Sequence, residues 1–198
     1  VYLAKDNITG DIIGIVSLRN VSERYHQEFL RESLAKQASL DLLTGLYNHV
    51  TGELLIKNKI DDGIYSDSAF IIFDIDKFKL VNDTYGHYFG DCVLQCVAAR
   101  LKESVREDSD IAIRYGGDEF MVVIYNTSKT EIEDILKQLS REKDRLNSRG
   151  NDMPIDYACG WAISDADGEC TIQMLLDKAD YYMYENKQSR KKSMQSTK

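Results

Sequence analysis

Residues 69–75 read Ala-Phe-Ile-Ile-Phe-Asp-Ile, an apolar run of strand length whose exit carries two carboxylates, Asp74 and Asp76. A short, continuously apolar run predicts a strand covered on both faces. Such a strand needs partners at its edges and helices above and below, which is α/β architecture. The rest of the chain from Leu40 supplies them. Residues 47–60 read as a helix. Gly90 to Arg106 carries Val93, Val97, Leu101 and Val105 on one helical stripe. Ile111–Tyr115 and Phe120–Tyr125 read as two strands around Gly116-Gly117-Asp118-Glu119, a hairpin with glycines at its tip. Ser128 opens another helix, with Glu131 three residues on for a capping box. Ile155–Ile163 is a strand. Thr171–Lys187 is a helix with Ile172, Leu175, Leu176, Ala179 and Met183 inward. The tail from Gln188 is polar and basic and is expected to fray.

The first 40 residues have a different pattern. Val1–Ala4 and Ile12–Arg19 flank the turn-rich Asp6–Asp11 and predict a hairpin. A lone hairpin is marginal in water, so it reads as the end of a larger sheet. The chain starts at Val1 rather than Met, which fits a piece of a longer protein. Residues 22–40 predict a helix capped by Ser22, with Phe29, Leu30, Leu34 and Ala38 at helical spacing. Its role is open between a linker, a dimer seam and a solvated connector.

Composition narrows the classes. The 198 residues are enough for one domain with an appendage. A net charge of −8 argues against broad duplex binding, which rests on phosphate neutralisation, so no nucleic-acid partner is expected. No apolar run approaches the ~20 residues of a membrane span. The four cysteines form no CxxC pair. Cys92 and Cys96 sit four apart without a second ligand pair, so buried, reduced thiols in a cytoplasmic setting are expected rather than zinc.

The chemistry concentrates in four places. Asp74 and Asp76 are hard oxygen donors suited to Mg²⁺, unless one of them merely caps the next turn. Asp118 and Glu119 are adjacent carboxylates at a hairpin tip, whose repulsion a cation would relieve. A solvated turn is the alternative. Where the hairpin pairs beside the Asp74 strand, Asp74 and Asp118 converge as in a two-metal polymerase site. Between strand and helix lies Lys77–Asp91 (KFKLVNDTYGHYFGD), a polar, glycine-punctuated stretch. In it Lys79 suits phosphate, while Asn82 and Asp91 suit a base edge. His87 reads as a structural hydrogen-bonding group. Lys187, Arg190, Lys191 and Lys192 form a basic run that suits either a triphosphate or a solvated face.

Four stretches in order, DLLTGLYN at 41–48, FDIDKFKLVNDTYGHYFGD at 73–91, RYGGDEF at 114–120 and ADYYMYENK at 179–187, resemble the GGDEF domain family of diguanylate cyclases over residues 39–192. The resemblance implies a palm-like, nucleotidyl-cyclase α/β fold with a central, mostly antiparallel sheet. It implies condensation of two GTP into cyclic di-GMP with release of pyrophosphate, in bacterial second-messenger signalling. A non-catalytic receptor for GTP or cyclic di-GMP is the alternative. By the same resemblance Asp74, the Ile75 carbonyl and Asp118 hold Mg²⁺, with Mn²⁺ as a substitute. Asp118, Glu119 and Lys79 are catalytic. Lys77, Phe78, Asn82, Asp91, Lys187 and Lys191 bind substrate. Two copies must face each other, so a homodimer is expected. The hairpin resembles the end of a PAS sensor, giving 1–21 as a PAS remnant, 22–40 as a linker helix and 41–198 as the cyclase domain. The expected setting is cytoplasmic, without direct membrane contact, beneath a parent that is itself open to membrane anchoring.

Three departures stand out. His49 replaces a usual arginine, and Arg190-Lys191 replaces a usual Gly-Arg. The family's Arg-x-x-Asp product site is one residue too long here, running from Arg106 to Asp110. The last departure predicts weak product inhibition.

Overall fold

A computed structural model describes residues 2–5, 8–16, 18–61, 67–148, 155–164 and 171–195. These residues fall into two compact units, Val1–Ser39 and Leu40–Lys198. In the first, β1 (Tyr2–Lys5) and β2 (Ile12–Val16) form an antiparallel hairpin, followed by helix α1 (Leu18–Ser39). The helix starts four residues before the expected Ser22 cap, and β2 stops short of Arg19. Leu18 and Arg19 are good helix formers with no breaker after them, so the helix propagates back through them. Tyr25, Phe29 and Leu34 lie exposed along α1.

The second unit is a five-stranded sheet between two helical layers. Its elements are β3 (Tyr47–Asn48), α2 (His49–Asp61), β4 (Ala69–Ile75), α3 (Phe78–Tyr85), α4 (His87–Glu103), β5 (Ile111–Arg114), β6 (Glu119–Ile124), α5 (Lys129–Asn147), β7 (Tyr157–Ile163) and α6 (Ile172–Gln195). The order across the sheet is β3-β5-β6-β4-β7. Among the described residues only β3 with β5 is parallel; the remaining pairs are antiparallel.

The period of two in β4 sends Ile71, Phe73 and Ile75 to one face and Phe70 and Ile72 to the other. The first set packs with Val93, Val97 and Leu101 of α4 and Ile132 and Leu139 of α5. The second packs with Ile56 of α2 and Leu175, Ala179 and Met183 of α6. Burying each such Ile or Phe stabilises the fold by about 1.5–3 kcal/mol. β7 meets α6 so closely at Gly160 that a Cβ there would stand 2.1 Å from the Met183 backbone nitrogen.

The capping box of α5 forms as expected: the Ser128 side chain accepts from the Glu131 N–H, and Glu131 accepts from the Ser128 N–H. Three expectations need correction. Residues 78–85, read as an irregular stretch, form α3, and Gly86 at φ 85° turns the chain straight into α4. That helix therefore begins at His87, not Gly90, and ends at Glu103. α3 buries only Val81 and is only two turns long, too short for its Phe78, Val81, Tyr85 spacing to stand out in sequence. The tail after Gln188 remains helical to Gln195, because Arg190 is anchored at the sheet. Cys92 is exposed rather than buried, and Cys96 and Cys159 are half-buried; Cys170 lies outside the described residues. Among the described residues no helix is long and apolar enough to cross a membrane.

Candidate active site

The β4 exit and the β5–β6 hairpin are joined by backbone. Asp74 lies directly across the ladder from Glu119. One step on, the Ile75 N–H donates to the Asp118 carbonyl at 3.1 Å. The hairpin tip is closed by the Tyr115 and Gly116 N–H groups, both donating to the Glu119 carbonyl. Register alone thus gathers Asp74, Asp118 and Glu119 at one end of the sheet. Burial pushes the Asp118 carboxyl up, and the charge of Asp74 pushes it further. Glu119 is raised by burial, then by Asp74, Asp118 and Asp180. Both shifts come from burial and crowded negative charge, which a cation would relieve.

One cation of the chain already reaches them. Lys187 of α6 donates from Nζ to Asp74 Oδ1 at 2.6 Å. Burial lowers the Lys187 pKa, but the hydrogen bond and charge of Asp74 more than offset this, leaving it above its ordinary value. Three residues along α6, Arg190 reaches Asp76 at 3.4 Å and also bonds Asp156 and the Tyr157 carbonyl. Burial alone would raise Asp156, yet bonds from Lys143 and Arg190 hold it below the usual carboxylate range. Asp76, by contrast, is raised, chiefly by burial. Arg190 is therefore a brace between α6, the exit of β4 and the entry of β7. Among the described residues no group of three His, Cys, Asp or Glu side chains is placed to hold a metal by itself. Mg²⁺ does not require one, since it is usually held by one or two carboxylates, waters and substrate phosphates. Asp74 and Asp118, with their repelling charges, fit that donor set.

Just beyond β4, Lys77 takes a left-handed backbone, φ 58° and ψ 28°, at the N-cap of α3, with no side-chain cap. A non-glycine residue in this region is strained, and strain of this kind clusters at ligand sites. The N–H groups of the first α3 turn, Phe78 among them, have no intrahelical partner, as at any helix start. Lys79 is exposed beside it. Deeper, the Asn82 Oδ1 is buried and has no hydrogen-bond partner. It faces Gly90, where an added Cβ would sit 1.9 Å from that oxygen and 3.3 Å from the Phe78 ring. The missing side chain at Gly90 makes room for the Asn82 amide itself, whose oxygen fills the space a Cβ would take. Asp91 is exposed on the next residue of α4. Lys191 continues α6, but its side chain lies outside the described residues.

Residues 38–193 match the family model for "Diguanylate cyclase, GGDEF domain". The chain belongs to the GGDEF domain family. It is 36% identical over 154 residues to the uncharacterized protein YhcK of Bacillus subtilis, covering 76% of this chain and 41% of that protein. It is 32% identical over 163 residues to diguanylate cyclase DosC of Escherichia coli, covering 80% and 35%. The chain thus spans well under half the length of these relatives. Its fold matches the coiled coil and GGDEF domain of DgcB from Caulobacter crescentus, crystallised with c-di-GMP, at a TM-score of 0.72 and 24% identity, covering 86% of this chain and 93% of that one. The sheet is therefore the palm-like cyclase sheet.

Several contacts that shape this GGDEF domain escaped sequence reading. Arg114 donates to Asp41 at 3.1 Å and to the Gly117 carbonyl at 2.7 Å, so the 41–48 motif braces the signature hairpin. Asp41 also accepts from the Thr44 N–H and hydroxyl. His49 pairs with Glu53 at 2.9 Å and packs on Tyr115 at 4.2 Å between ring centroids. His87 is exposed. Arg106 spends its guanidinium on Asp110, with bonds of 2.9 and 2.7 Å, and on the Tyr125 carbonyl.

Proposed function

We propose that this chain is the cyclase portion of a sensor-linked diguanylate cyclase. It joins two GTP through attack of one 3′-hydroxyl on the α-phosphate of the other, with pyrophosphate leaving. The observation that carries this reading is the convergence of Asp74, Asp118 and Glu119 at the bonded end of β4 and the hairpin. Asp74, the Ile75 carbonyl and Asp118 hold Mg²⁺, with Mn²⁺ as a substitute. The bound ion supplies charge neutralisation at the reacting phosphate and activation of the attacking hydroxyl.

The chain's own groups do the positioning. The α3 start at Lys77 and Phe78 seats the phosphates, and Lys79 faces their developing charge. Asn82 and Asp91 take the guanine edge, and the bare Gly90 lets the Asn82 amide lie against α4. Lys187 and Lys191 reach the terminal phosphates. Glu119 adds negative potential beside Asp118. Each domain supplies one GTP, so catalysis needs two copies face to face, and effective concentration then contributes much of the rate.

Residues 1–21 are read as the end of a PAS-like sensor, 22–40 as its linker helix and 41–198 as the cyclase domain, set in the cytoplasm. The hairpin followed directly by α1 supports that reading. The test is incubation with GTP or ATP and Mg²⁺ across a range of protein concentrations. Cyclic di-GMP from GTP alone, at a specific rate that rises with protein concentration, is expected. GTP binding without product would sink the cyclase reading in favour of a receptor.

A further inference from the structure

Helix α6 grips the exit of β4 at two points. Lys187 holds Asp74 at 2.6 Å, and Arg190 holds Asp76 at 3.4 Å. A three-residue step on a helix spans ~4.5 Å and a two-residue step on a strand ~6.6 Å, so long basic side chains reach both carboxylates from one helical face. The two grips differ in their other partners. Arg190 is also bound to Asp156 and to the Tyr157 carbonyl, so it keeps its place if Asp76 is lost. Lys187 has Asp74 as its hydrogen-bond partner among the described residues, and it feels Asp76 and Asp118 only through charge. Its ammonium sits on a carboxylate oxygen assigned above to the metal.

We propose that Lys187 is an exchangeable counter-ion of the metal site: it competes with the divalent cation for Asp74, and the incoming triphosphate draws it away. The inference rests on the metal assignment made above. An ammonium on Asp74 Oδ1 opposes a second cation there by charge and by occupying the oxygen. A triphosphate offers that ammonium several anionic oxygens in exchange. Metal and nucleotide therefore bind with positive coupling, each weak alone. Arg190, tied to three acceptors, does not exchange.

The experiment measures uptake of Mn²⁺ alone by the full chain, following the free ion by electron paramagnetic resonance. Lys187→Met is expected to bind Mn²⁺ about tenfold more tightly than wild type, the effect of one partly screened charge removed beside the site. Lys187→Gln, which keeps a hydrogen-bond donor for Asp74, should show the same gain. Both variants should bind a non-hydrolysable GTP analogue more weakly and lose the coupling between analogue and Mn²⁺. Arg190→Met removes the same charge four or five ångströms along the helix; it should lower the melting temperature and leave Mn²⁺ affinity within about twofold of wild type. Unchanged or weaker Mn²⁺ binding in both Lys187 variants overturns the exchange, as does an equal gain in Arg190→Met. Failure of wild type to take up Mn²⁺ even with the analogue present overturns the metal assignment itself.

Discussion

Two sets of withdrawn carboxylates in this domain behave in opposite ways. The Asp110 side chain is 1% exposed, yet it accepts from the Arg106 N–H and guanidinium and from the Tyr125 N–H. Burial alone would raise its pKa, but those donors hold it below the ordinary carboxylate value. Asp118 and Glu119 are less enclosed, yet both are raised, first by burial and then by the charge of Asp74, with few donors to offset it. Burial therefore does not separate a structural acid from a functional one. Donor supply does. At Asp110 the chain satisfies the charge itself; at the hairpin it leaves the charge for something that arrives.

The largest effect should come from Asp118→Ala. Cyclic di-GMP output should fall about 100- to 1,000-fold with no loss of melting temperature, since the residue makes few bonds and repels its neighbours. A near-normal rate would erase the comparison. Gly90→Ala comes next. Its methyl group meets Asn82 Oδ1, so the GTP concentration for half-maximal rate should rise roughly tenfold or more, about 1–3 kcal/mol of lost recognition. An unchanged value would mean the base lies elsewhere.

Asp110→Ala reverses the pattern. Unfolding free energy should drop by about 1–3 kcal/mol as the Tyr125 and Arg106 N–H groups lose their acceptor. The rate per folded molecule should hold. A variant with wild-type stability in denaturant would show that the turn is not structural.

A finer test uses pH. The folded pKa of Asp110 is depressed, so its stabilisation is present above the unfolded carboxylate value and lost as pH falls through the folded one. Those of Asp118 and Glu119 are raised, so their contribution to stability is lost as pH rises through the folded values. As pH rises towards about 4, Asp110→Asn should grow more costly relative to wild type and then level off, whereas from about pH 4 upward Asp118→Asn should grow more favourable. Equal slopes in denaturant titrations would refute the contrast. The smallest expected effect is none: calorimetry should find no tight cyclic di-GMP binding that Arg106→Ala removes. Tight binding lost in that variant would mean the guanidinium leaves Asp110 for ligand.

What sequence revealed and what it hid divides by distance along the chain. The β4 run, the α5 capping box and the hairpin are local patterns, readable from spacing. The convergence of Asp74 with Asp118 followed from assuming that two strands pair, and β4 does pair with β6. The Arg114–Asp41 brace spans 73 positions and has no local signature. The continuation of α6 past Gln188 depends on acceptors in β7 and the β4 exit, so a polar tail read in isolation looked frayed. Helix α3 was hidden for a different reason. Eight residues with one buried side chain are too short a window for their period to stand out, and the lysine that starts it adopts a backbone usually reserved for glycine or asparagine.

Gly160 has no functional group, yet it governs how well the basic helix is aimed. Its bare Cα lets the backbone of α6 rest against β7 at Met183. Lys187 follows four residues later, ~6 Å further along the axis. Any side chain at 160 must shim the two elements apart, and the shift passes almost undiminished to the ammonium at the tip. The seating of a glycine on one strand thus sets the alignment tolerance of a cation that serves its neighbour.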